Sequence, residues 1–108
     1  MSTDRRNYHR IEKKAAILKA LAHPTRLMMV DELSRGERCV CELTGMAGVD
    51  TSTVSRHLAI LKNAGVVVDE KRGQMVFYSL AMPCALTFLH CLDEVLQERA
   101  RQALELAG

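Results

Sequence analysis

The chain has 108 residues, of which 48% are hydrophobic and 26% charged, and its formal net charge is +2. That length holds one domain, and the composition is too apolar for a disordered chain and too balanced in charge for a polyelectrolyte tail. Aromatic residues amount to 4% with no Trp, which argues against a protein that stacks single-stranded bases, and so short a chain leaves little room for a deep cofactor pocket.

Apolar residues recur at helical spacing from Ile11 to Leu21 (Ile11, Ala15, Leu18, Leu21, Ala22), predicting a first helix. His23-Pro24 ends it, because a residue before proline is pushed out of the helical region. Pro24 suits the first turn of a second helix, with Leu27, Met28, Val30 and Leu33 inward, closed by Ser34-Arg35-Gly36. A short third helix is expected from about Cys39 to Ala47. After the turn Gly48-Val49-Asp50, either Asp50 or Thr51 can cap a fourth helix that turns Val54, Leu58 and Leu61 inward and stops at Gly65. The period then changes. Val66-Val67-Val68 and Met75-Val76-Phe77-Tyr78 read as the strands of a hairpin whose charged tip is Asp69–Gln74. Pro83 opens a long last helix with a stripe of Leu89, Leu92, Leu96 and Arg99, flanked by Phe88 and Val95. Met28, Met29, Met46, Met75 and Met82 fit as core filling. The fold class is therefore mostly α with a β-hairpin wing, in the order α-α-α-α-β-β-α: a winged helix-turn-helix in one domain over residues 1–108. It divides into a basic N-terminal arm (1–14), a core (15–82) and a long last helix (83–108).

Charge is uneven along this frame. Residues 1–14 hold five basic and two acidic side chains, whereas residues 84–108 hold two basic and four acidic ones. A basic front and an acidic tail fit a nucleic-acid binder with a separate oligomerising element. The N-terminus has no apolar segment of the kind an export signal needs, and no run approaches the roughly 18–20 apolar residues of a membrane span. A cytoplasmic location is the expectation, and there Cys39, Cys41, Cys84 and Cys91 stay reduced, as ligands, redox sensors or core residues.

The fourth helix carries the functional signal. Across Asp50–Leu58 the inward residues are apolar, but the outward ones are Thr51, Ser52, Thr53 and Ser55 with one arginine, Arg56. Small hydroxyls and a guanidinium can approach base edges and phosphates, where an ordinary surface helix carries Glu and Lys. No Cys-x-x-Cys pair, phosphate-cradling glycine loop or nucleophile–base motif argues for an enzyme.

Four segments bring these features together: Leu21-Ala22-His23-Pro24-Thr25-Arg26-Leu27, Cys39-Val40-Cys41-Glu42-Leu43, Ser55-Arg56-His57-Leu58-Ala59-Ile60-Leu61, and Gly73-Gln74-Met75-Val76-Phe77-Tyr78. In that order, over roughly residues 12–82, the chain resembles the ArsR/SmtB family of dimeric, metal-responsive winged-helix repressors, and within it the arsenic-responsive branch. The resemblance implies a homodimer through the first and last helices. It would set two recognition helices in successive major grooves of a two-fold symmetric operator, with half-sites roughly 34 Å apart. The positions matching the family's DNA contacts are Thr51, Ser52, Ser55 and Arg56, with Thr53 among them. Lys71 and Arg72 at the wing tip are expected on phosphate or in the minor groove, and His57 belongs to the motif without an assigned role.

Two thiols as close as Cys39 and Cys41 suit a soft ion, and the resemblance makes trivalent arsenic or antimony the expected inducer, with cadmium or lead as alternatives and no cofactor required. A redox or reactive-sulfur switch on the same thiols is the other reading. Residues i and i+2 of a helix point about 200° apart, so ligation by both is expected to unwind the third helix and disturb the next. The arsenic branch commonly has a further cysteine three residues after the pair, where this chain has Thr44. The third ligand is then left to Cys84 or Cys91, and the alternative for those two is packing in the dimer interface.

Overall fold

The computed structural model describes residues 2–107. Five helices and three short strands follow in the order α1 (Ser2–Leu21), α2 (Pro24–Leu33), β1 (Arg38–Cys39), α3 (Val40–Ala47), α4 (Thr51–Asn63), β2 (Val67–Arg72), β3 (Met75–Leu80) and α5 (Cys84–Ala107). This is the expected winged helix-turn-helix with one strand added.

The core forms where α2, α3 and α4 meet the base of the wing. Met29 and Val30 of α2, Leu43 of α3, and Val54, Leu58 and Leu61 of α4 are fully buried, joined by Val66, Val67 and Tyr78. Each such side chain contributes roughly 1.5–3 kcal/mol by leaving water. The spacing of Val54, Leu58 and Leu61 on one face fixes which side of α4 is buried and therefore which side is free. Of the five methionines expected inside, Met29 is buried, but Met28 and Met75 are 38% and 46% exposed.

Local chemistry sets the joints. His23 is extended (φ −155°, ψ 133°), as a residue before proline prefers, and its Nδ1 accepts the Thr25 N–H to cap α2. Gly48 sits at φ +69° and Gly65 at φ +80°, so α3 and its successor α4 both end on residues for which a left-handed conformation costs little.

Three boundaries differ from expectation. The first helix begins at Ser2, so the basic residues of the N-terminal segment, Arg5 to Lys14, are carried on helix. That stretch holds no Gly or Pro and is rich in good helix formers, so it needs no apolar stripe to be helical. The wing strands run through the charged residues to Arg72 opposite Met75, leaving a turn of only Gly73 and Gln74, with Gly73 at φ +64°. A two-residue turn fits the twist of a hairpin, and ladder hydrogen bonds do not require apolar side chains. Finally, Arg38 and Cys39 form β1, which pairs antiparallel with β3 and makes a three-stranded sheet in the order β1-β3-β2.

The two outer helices carry apolar surface that nothing among the described residues covers. On α5 only Ala85 is buried, while Phe88, Leu92, Val95 and Leu96 are 41–62% exposed. Tyr8, Ile11 and Leu18 are similarly open on α1. No helix among the described residues is long and apolar enough to cross a membrane.

Candidate nucleic-acid interface and thiol site

Burial of Val54, Leu58 and Leu61 turns the opposite side of α4 outward. Thr51, Ser52, Ser55 and Arg56 are exposed there, and Thr53 is half-buried. Asp50 occupies the capping position but makes no side-chain bond to the helix amides; its Oδ2 accepts the Ser52 hydroxyl at 2.6 Å instead. The hydroxyls of Ser52, first, and Thr53 hold the Asp50 carboxyl below its ordinary value. The first two turns of α4 thus present hydroxyls and one guanidinium, groups that can bond phosphate or base edges.

The wing delivers its two cations differently. Lys71 is exposed and has no ion pair among the described residues. Arg72 is engaged: Nη1 and Nη2 donate to the two Glu37 oxygens at 2.6 and 2.9 Å, and Nη2 also donates to Glu70. Its guanidinium lies 4.8 Å from the centre of the Phe77 ring. These carboxylates, Glu37 foremost, favour the charged form of Arg72. To reach a phosphate, Arg72 has to leave Glu37, a residue sequence reasoning passes over because an isolated loop glutamate carries no pattern.

Cys39 and Cys41 come together. They are joined as a disulfide, with Cα atoms 5.3 Å apart. Cys39 is extended (φ −80°, ψ 162°) and is the N-cap of α3, not part of it; its Sγ accepts the Glu42 N–H while Glu42 Oε1 accepts the Cys39 N–H. This is a capping box with sulfur where a hydroxyl usually stands. The expectation that ligation must unwind α3 is therefore corrected. The 200° argument applies to two residues inside a helix, whereas here one thiol sits ahead of it and both sulfurs meet with α3 intact. Thr44, at the place of the absent cysteine, donates its hydroxyl to the Val40 carbonyl at 2.8 Å.

The thiol site and α4 share one groove. Cys39 and Cys41 line it with Thr51 and Ser55 of α4 and with Gln74 and Met75 of the wing, around an open volume of about 370 Å³. Cys84 and Cys91 are exposed on α5 and line other grooves. Among the described residues no three Cys, His, Asp or Glu side chains gather around a common point that could hold a metal ion.

Comparison with known proteins supports the same assignment. The family described as bacterial regulatory protein, arsR family, matches residues 23–68. The biofilm growth-associated repressor of Xylella fastidiosa is 33% identical over 94 residues, covering 87% of this chain and 82% of that protein. The chain belongs to the ArsR family. The arsenic resistance transcriptional regulator ArsR1 of Pseudomonas putida is 45% identical over 65 residues, 59% of this chain, and the match spans only 51% of that regulator's length. Among solved structures, the homodimeric winged helix-turn-helix DNA-binding domain of Mb0332 from Mycobacterium bovis superposes with a TM-score of 0.79 at 28% identity, over 90% of each chain. As an ArsR-family member the chain falls among transcriptional regulators.

Proposed function

We propose that this chain is a DNA-binding transcriptional repressor, active as a homodimer, that leaves its operator when trivalent arsenic or antimony bonds Cys39 and Cys41. The observation that carries the reading is the shared groove, in which both thiol positions stand beside Thr51 and Ser55 of the recognition helix. Thr51, Ser52, Ser55 and Arg56, with Thr53 behind them, contact the major groove, and Lys71 with Arg72 takes phosphate. The uncovered apolar faces of α1 and α5 support pairing through those helices.

Once a dithiol reductant has given two electrons and two protons to the Cys39–Cys41 disulfide and itself become a disulfide, each arsenic–sulfur bond forms as a thiol gives its proton to a hydroxide of arsenous acid, which leaves as water. Cys39 and Cys41 fill two of the three positions of the ion, and Cys84 or Cys91, brought near by dimerisation, or a retained hydroxide fills the third. An ion held there lies against the first turn of α4 and the wing, and so acts on the surfaces that hold DNA. A bias of about 1–3 kcal/mol between the bound and released states loosens DNA several-fold to a hundredfold. The chemistry of the thiol pair, and the name of ArsR1, support arsenic over a hard cation.

A second reading has its own observation, the sulfur–sulfur bond itself. Here two thiols give two electrons and two protons to a peroxide, which is reduced to water, and the disulfide is the released state. Displacement of duplex DNA from the reduced protein by arsenite, and separately by peroxide, distinguishes the two.

A further inference from the structure

Away from the thiols, a second set of polar groups grips the recognition helix. Arg26 of α2 donates from Nε to the Ala20 carbonyl, from Nη2 to the Lys19 carbonyl at 3.4 Å, and shares a hydrogen bond between Nη1 and His57 Nδ1 at 3.1 Å. One guanidinium thus ties the end of α1 to the middle of α4. The His57 ring packs on the His23 ring, with centroids 4.5 Å apart and planes tilted by 43°.

Protonation states follow from the donors. A guanidinium only donates, so His57 Nδ1 must accept, and the ring is the neutral Nε2–H tautomer. His23 Nδ1 accepts the Thr25 N–H, so it too is unprotonated at that atom. A proton on His57 Nδ1 would remove the acceptor and set a second cation against Arg26. Burial, then His23, Arg26 and Arg56, hold the His57 imidazole below its usual range. Among the described residues no carboxylate enters this balance. On the other elements packed against α4, Asp31 and Glu32 of α2 are paired with Arg35, Glu42 of α3 is bound at Cys39, Asp69 of β2 is bound to Lys62, and α1 brings the cation Lys19 near α4.

We propose that Arg26 and His57 are positioning residues that hold the recognition helix in its operator-binding pose, and that this strut requires His57 unprotonated. It rests on the reading of the chain as a DNA-binding repressor, and it adds a proton as a release signal independent of the thiols. The sign is distinctive. Added positive charge alone tightens DNA binding on acidification, whereas the strut opens and loosens it.

The test is the affinity of the reduced protein for a duplex it has itself enriched from a random pool, measured by anisotropy from about pH 7.5 to about pH 5.5. The expected result is a loss of about two- to fivefold, because a single imidazole held below the usual histidine range is only partly protonated at the acid end. His57→Asn, whose Oδ1 replaces Nδ1 as acceptor, should bind like wild type at the upper pH and lose the response. His23→Asn, which keeps the cap, should retain it. Tighter wild-type binding at low pH, or a response abolished by His23→Asn and not by His57→Asn, overturns the proposal. Nitrogen-15 spectra of the free protein give a second arm: His57 should titrate below the ordinary histidine range as the Nε2–H tautomer, and the opposite tautomer overturns the strut. Failure to enrich any duplex would refute the repressor reading, and the spectra would still decide on the strut.

Discussion

Cys39 stands opposite Phe77 in the ladder between β1 and β3. The same Phe77 ring lies under the Arg72 guanidinium, and Glu37, two residues before Cys39, holds that guanidinium in a two-pronged pair. One thiol of the pair is therefore a strand residue of the wing's own sheet, and the other is on the helix that precedes the recognition helix. Whatever bonds both sulfurs links the wing to α3. On the proposed reading, that link connects the thiols to both elements assigned to DNA without any loss of helix.

Because the Cys39 sulfur serves as a helix cap, its replacement by serine should be mild. In reduced protein, Cys39→Ser should change unfolding free energy by less than about 1 kcal/mol, since Ser is a favoured cap, whereas Cys39→Ala loses the cap and costs about 1 kcal/mol or more. Urea denaturation of both variants checks this. An equal loss in the two would mean that the cap contributes nothing.

If Arg72 takes phosphate as proposed, Glu37 competes for its guanidinium. Glu37→Gln should leave Arg72 paired with Glu70 alone and tighten binding to duplexes of any sequence, with the slope of log affinity against log salt steeper by up to about one. Titrations at several salt concentrations measure it. Unchanged slopes would leave Arg72 outside the interface.

Arg56 is the long side chain on the outward face of α4. Arg56→Ala should weaken operator binding by about 1–3 kcal/mol and relax preference at one base position if it reads a base edge. A uniform loss across sequences would assign it to phosphate. Comparison of matched and point-mutated duplexes separates these outcomes.

The open faces of α1 and α5 predict the assembly. Leu92→Glu, on the exposed stripe of α5, should yield a monomer by sedimentation and lower operator affinity at least tenfold, because two linked half-site contacts become one. The fold should survive, since Leu92 is 41% exposed within one chain. A dimer that persists would place the interface elsewhere.

Most of the fold could be read from the chain. Val54, Leu58 and Leu61 at i, i+4 and i+7 named the inner face of α4, and so its outer face of Thr51, Ser52, Ser55 and Arg56. His23-Pro24 and Gly65 marked helix ends. What escaped was either too short or too distant to leave a period. Two residues, Arg38 and Cys39, make a strand only because β3 has an open edge beside them. The Arg72–Glu37 pair spans 35 positions and Arg26–His57 spans 31, so neither has a local signature. The geometry of the thiol pair went wrong for one reason: a start of α3 at Cys39 instead of Val40 turns a cap into a helical position.

The most direct test of the account is the release of DNA by arsenite in the reduced protein and its Cys39→Ser, Cys41→Ser and double variants. Wild type on its enriched duplex should lose affinity several-fold to a hundredfold at saturating arsenite. All three variants should bind DNA as wild type does without arsenite and hold it when arsenite is added. Release that persists in the double variant would contradict the account.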